Sequence, residues 1–132
     1  NGSFKVYMVD TGLLCSKFGI SANAVINNPH SFDGFKGALA ENYVMQALIA
    51  NGLQPYYWNS DGKAELDFLF QDSDGNIIPL ECKAAENVKS KSLNIYISRY
   101  NPIYSIRVSA KNFGFENNIK SIPLYALFCL SV

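Results

Sequence analysis

Paired cysteines are missing from this sequence. Cys15, Cys82 and Cys129 are odd in number, far apart and in no Cys-x-x-Cys pair. That argues against a disulfide scaffold or a zinc site and fits a reducing, cytoplasmic setting. An excess of either charge is missing too. The 11 Lys and Arg balance the 11 Asp and Glu, so the chain has no general electrostatic pull on nucleic acid. Any such contact needs a local basic patch or a partner that brings the substrate. No apolar run reaches the roughly 18 residues of a spanning helix, which speaks against a membrane partner. No signal peptide, internal repeat or low-complexity segment is recognisable. No Gly-x-x-x-x-Gly-Lys occurs, so these residues form no P-loop for ATP. The single histidine, His30, lies in a polar stretch and is assigned no role.

What is present reads as one folded domain. The chain has 132 residues, 48% apolar and 14% aromatic, enough for a real core and too apolar for disorder. An apolar run over 4–9 predicts a short strand or extended lead-in. Such an abrupt start suggests a piece of a longer protein, with Asn1-Gly2-Ser3 either native or a cloning remnant. Asp10 or Thr11 can cap a short helix over 12–18 that stops at Gly19. Residues 20–33 read as a loop.

The clearest helix spans 34–50, with Ala38, Glu41, Met45 and Leu48 at helical spacing, Val44 alongside, and Asn51-Gly52 as its stop. Strand patterns follow over 54–59, 64–71 and 76–84, separated by Ser60-Asp61-Gly62 and by residues 72–76. They predict an antiparallel meander. Residues 90–100 read as a helix and 103–109 as a strand. Residues 110–121 read as polar connection, and Pro123 as the start of a last helix over 123–130, with a strand as the alternative there. The expected fold class is α/β: a central mixed sheet with an antiparallel meander, flanked by helices.

Chemistry concentrates on Glu81-Cys82-Lys83. Alternate strand residues share a face, so Glu81 and Lys83 point one way and Cys82 the other. Asp67 sits inside the apolar run Leu66-Asp67-Phe68-Leu69-Phe70, where a carboxylate is costly unless compensated. Counting from a hairpin centred near Asp74 places Asp67 opposite Glu81. Two adjacent carboxylates repel, and a hard divalent cation such as Mg²⁺ or Mn²⁺ would relieve that. Lys83 beside the metal could orient or deprotonate a water, or stabilise developing phosphorane charge. Glu41 stands on the apolar stripe of its helix as a further acid. Glu65 shares a strand face with Asp67 as an outer-shell group.

Each residue also fits a structural role: Glu81 and Lys83 as a surface ion pair, Asp67 bonded to a turn or amide, Glu41 at the edge of the stripe. Asp72-x-Asp74-Gly75-Asn76 lacks calcium-loop spacing and reads as a turn. Tyr56, Tyr57 and Trp58 read as core and edge packing rather than a base-stacking platform. Lys89, Lys91, Arg99 and Arg107 read as a thin basic set that could touch phosphate but fits scattered solvation better.

The set Glu41, Asp67 and Glu81-x-Lys83, on a helix and two successive strands, resembles the PD-(D/E)XK nuclease superfamily with its restriction-endonuclease-like core. A longer resemblance runs through most of the chain. Residues 6–14, Gly37-Ala38-Leu39-x-Glu41-Asn42, Tyr57-Trp58, Ala64-Glu65-Leu66-Asp67-Phe68, Ile78-Pro79-Leu80-Glu81-Cys82-Lys83 and Ile122-Pro123-Leu124-Tyr125 are similar to a domain of unknown function. That domain occurs in many bacterial and archaeal ATPases, after an AAA-type ATPase module and a winged-helix-like segment. Valine is common there at the position of Cys82, a small buried residue in either case. The resemblance implies a nuclease-like C-terminal domain of an ATPase, with the ATPase module as partner in cis. Glu41, Asp67, Glu81 and Lys83 would take the active-site positions, and Asp67 and Glu81 would hold the metal. Metal-dependent cleavage of DNA or RNA is one expected function. A non-catalytic regulatory or recognition module is another, and a homo-oligomerisation domain a third.

Overall fold

A computed structural model describes residues 4–28, 30–31, 33–60, 62–84 and 90–130. The lead-in over 4–10 is extended but pairs with no sheet edge. Side chains of the next long helix hold its backbone instead. The Met8 amide donates to the buried Asn42 at 2.8 Å, and the Gln46 amide donates to the Val9 carbonyl. Asp10 then caps α1 (Thr11–Lys17), accepting from the Leu13 amide. The expected loop over 20–33 contains a second short helix, α2 (Ala22–Asn27), capped by Ser21. One and a half turns give too little periodicity to read from sequence.

A 3₁₀ turn (Asp33–Phe35) leads into α3 (Lys36–Ala50). Gly52, at φ +76°, and the Leu53 amide bonded to the Leu48 carbonyl close it off. Its buried residues are Asn42, Val44, Ala47 and Leu48. Leu48 and Val44 of the expected stripe are buried, Asn42 and Ala47 join them, and Glu41 falls at the edge.

The meander follows as expected: β1 (Tyr56–Asn59), β2 (Glu65–Gln71) and β3 (Ile77–Cys82), joined antiparallel. The Asp72 carboxylate accepts from the Asp74 and Asn76 amides, and Gly75 takes φ +85° to complete the β2–β3 turn. After α4 (Lys91–Tyr100), β4 (Ser105–Ser109) lies parallel to β3. The stretch expected to be polar connection forms a hairpin, β5 (Gly114–Glu116) and β6 (Ile119–Pro123). Asn117 and Asn118, at φ +50° and +58°, make its tight turn. Pro123 ends β6 rather than opening an α-helix, and a 3₁₀ segment (Leu124–Cys129) follows. The sheet order is β1-β2-β3-β4-β6-β5, a six-stranded mixed sheet between helices.

One face carries Phe68, Phe70, Ile78, Leu80, Cys82, Ile106 and Val108 against Val44, Ala47 and Leu48 of α3. The other carries Leu66 against Leu93 and Tyr96 of α4, edged by Trp58 and Leu69. Leu66 and Phe68 are two residues apart yet pack on opposite faces. The cause is a register shift between Tyr56 and Trp58 on the neighbouring strand. Such a shift gives one strand an extra residue and re-aims its side chains. Asp67 sits in that shift.

Candidate active site

The β2–β3 register is symmetric about residue 74, with Phe68 opposite Leu80 and Gln71 opposite Ile77. Continuing the count puts Asp67 level with Glu81, as the sequence suggests, but the two carboxylates do not meet. Asp67 Oδ2 accepts the Cys82 amide hydrogen at 2.8 Å, and Oδ1 lies 3.9 Å from Lys5 Nζ. Glu81 lies between Leu80 and Cys82, both packed against α3. By alternation it projects towards the α4 side, where Lys83 Nζ approaches its Oε1 at 3.1 Å. The Asp67 carboxylate thus rests on the peptide that joins Glu81 to Cys82, at the same end of the sheet as Lys83.

Lys5, which sequence reading passed over, gathers the remaining acids. Its ammonium lies 3.0 Å from Glu41 Oε1 and 2.6 Å from Glu65 Oε1. The Tyr7 hydroxyl donates to the same Glu41 oxygen at 2.6 Å. Glu41, Glu65 and Asp67 therefore surround a cation that the protein itself supplies. The only signal for this was a single Lys before an apolar run, and the tie is to residues 36 or more positions away.

The electrostatics follow from that arrangement. Burial works against the charge on Lys5, yet its hydrogen bonds to Glu65 and Glu41 outweigh this and raise its pKa. Burial is also the largest influence on Asp67. Opposed by the Cys82 amide and helped by the Glu41 charge, it pushes the carboxyl up to about 6. The Tyr7 phenol is raised by burial and by Glu41. The Cys82 thiol is pushed up to about 12, first by burial and then by the Asp67 and Glu41 charges, so it stays protonated and is no nucleophile.

Glu81 is 2% exposed, and its Oε2 has no hydrogen-bond partner among the described residues. A buried charged oxygen left unpaired is costly. No group of three or more His, Cys, Asp or Glu side chains among the described residues is placed to enclose a metal ion. Glu41, Glu65 and Asp67 therefore form one set around Lys5, and Glu81 and Lys83 a second, with Asp67 between them. Trp58 packs edge-on to Tyr96 and Tyr100, in the packing role expected of the aromatic run. Among the described residues no helix is long and apolar enough to cross a membrane.

Among known proteins, a family described as a domain of unknown function, DUF4143, matches residues 36–127. No curated protein and no solved structure matches significantly. The matched span contains Glu41, Glu65, Asp67, Glu81 and Lys83 and leaves Lys5 and Tyr7 outside it.

Proposed function

The chain belongs to the DUF4143 family, and we propose that it is a metal-dependent, nuclease-like domain of a larger AAA-type ATPase, with the restriction-endonuclease-like variety of α/β fold. The observation that carries this reading is the Glu81 carboxylate. It is buried on a central strand, has one oxygen unpaired among the described residues, and stands one peptide from the Asp67 carboxylate. Lys83 meets only Oε1, and a buried carboxylate oxygen left without a partner is costly, a cost that a cation at Oε2 would relieve.

The donors fit Mg²⁺ or Mn²⁺, which take oxygen ligands. Mg²⁺ is commonly held by one or two carboxylates plus substrate phosphate rather than by an all-protein cage. Such an ion would polarise a phosphodiester and supply a nucleophilic water. Asp67 and Glu81 would hold it once their carboxylates, which face different partners in this structure, turn towards one another. Lys83, kept beside Glu81, would stabilise charge on the attacked phosphate, and Glu41 would complete the acidic shell.

A second reading is favoured by one observation: lysines already neutralise the acids, Lys5 for Glu41 and Glu65 and Lys83 for Glu81. On that reading the domain is a non-catalytic recognition module of the ATPase, and the acids hold its architecture. Calorimetric titration of Mn²⁺ and Mg²⁺ separates the two. The parent is expected to bind saturably, and an Asp67→Asn, Glu81→Gln double variant not at all. Binding that persists in the variant would remove Asp67 and Glu81 from the site, and absence of binding in both would favour the second reading.

A further inference from the structure

Read as sequence, Lys89, Lys91, Arg99 and Arg107 are a thin, scattered set that could touch phosphate; Lys89 lies outside the described residues, which leaves Lys91, Arg99 and Arg107. The structure places all three on one cleft of ≈820 Å³ between α4 and β4, with Ser90, Asn94 and Ser98. Among the described residues no carboxylate lines this cleft, and Glu116 lines the neighbouring hollow across Arg107. Among the described residues none of the three cations forms an ion pair with a carboxylate. In a chain with no net charge, such a local excess is the basic patch that nucleic-acid contact would need.

Arg107 is half-buried and fixed. Its Nε donates to Oγ of the buried Ser90 at 2.8 Å, which leaves the outer guanidinium donors for a ligand. That bond also diverts Ser90 from its local task. Ser90 is the N-cap residue of α4 but makes no capping hydrogen bond, so the first-turn amides of a ten-residue helix lack their side-chain acceptor. Those amides add to the positive character of a wall that the three cations already define. Lys91 and Arg99 are eight residues apart on α4, about 12 Å along its axis. A row of that length exceeds one phosphate group and suits successive phosphates of a polymer.

We propose that this cleft binds the sugar-phosphate backbone of a nucleic acid, with Arg107 as its fixed anchor and Lys91 and Arg99 as its outer contacts. Arg107 pairs with Glu81 in the β3–β4 register, so a backbone held here passes beside Glu81 and Lys83. Its role as the substrate track rests on the nuclease reading, whereas the binding itself needs no metal.

The test is fluorescence anisotropy of the whole chain with labelled 20-nucleotide single-stranded DNA and RNA, in EDTA, across a salt series. Binding is expected to fall with salt. The Lys91→Ala, Arg99→Ala double variant is expected to bind about 10-fold more weakly, with a log–log salt slope smaller by roughly 1–2. Arg107→Gln is expected to lose about 5-fold. Lys91 and Arg99 are exposed, so thermal melts should show the double variant folded. Equal binding by parent and folded double variant would overturn the proposal. So would full competition by millimolar inorganic phosphate with no gain from oligonucleotide length, which would mark a small-phosphate pocket. Cleft-dependent binding without any metal-dependent cleavage would leave the cleft standing and remove the nuclease reading.

Discussion

Lys5→Met is expected to cost about 2 kcal/mol of folding stability at pH 8 in EDTA, below the roughly 3–5 kcal/mol for stripping one partner from a fully buried ion pair because this cluster is part-exposed. The side chain of Lys5 is 23% exposed and touches Glu41 and Glu65, with Asp67 at the edge of contact. Its removal leaves three carboxylates facing one another with a methionine among them. The raised pKa of Lys5 fixes the window. The ammonium's contribution is fully present below its ordinary value of about 10.4 and is lost only as pH rises through the higher folded value. At pH 8 it is therefore intact in the parent. Towards acid Asp67, with its raised pKa, becomes neutral first, and the gap between parent and variant should narrow.

The same substitution bears on metal. If Lys5 stands in for a cation, removing it should let Mn²⁺ take over the charge, and millimolar Mn²⁺ should restore most of the lost stability. A ligand at 100 times its Kd contributes about 2.7 kcal/mol. Denaturant melts of both proteins, with EDTA and with Mn²⁺, decide the matter. A variant as stable as the parent in EDTA would show that the Lys5 contacts are surface pairs of little worth. A destabilised variant indifferent to Mn²⁺ would make Lys5 structural and weigh against a metal at these acids. Lys5 lies outside the span that the family match covers.

Much of this arrangement was written locally, and the exceptions have physical causes. The β2–β3 register could be counted from its turn, because Asp72 and Gly75 leave the hairpin little choice. The register shift opposite Asp67 could not, since it depends on how β1 packs against β2 and leaves no residue signature. That shift alone turns the expected Asp67–Glu81 pair into two separate sets. The Asn117-Asn118 turn was a readable signal, because consecutive positive φ values favour Asn, but the polar composition around it masked the strands. Lys91, Arg99 and Arg107 carried no periodicity linking α4 to β4. Only the parallel β3–β4 pairing brings the helix face and Arg107 together.

Asp67→Asn should be more stable than the parent at pH 8 in EDTA, by about 2–3 kcal/mol, and equal to it near pH 4. Asp67 has its pKa raised from 3.8 to about 6, mainly by burial. Two units correspond to about 3 kcal/mol between the protonation states. A raised carboxyl favours the fold only when protonated. That benefit is complete below the unfolded value and is lost as pH rises through about 6. The parent should therefore lose stability between about pH 4 and pH 7. Asparagine cannot ionise, yet its carbonyl oxygen can still accept the Cys82 amide hydrogen, so the variant should lack that slope. Matching slopes in urea melts across this window would show that Asp67 titrates normally. With Mn²⁺ added the order should reverse, because the charged aspartate holds the ion far more tightly than a neutral amide. A residue that weakens the free protein and stabilises only the metal-bound one is kept for its chemistry and not for the fold. That reversal, measured on one position, links the electrostatics of this site to its proposed function.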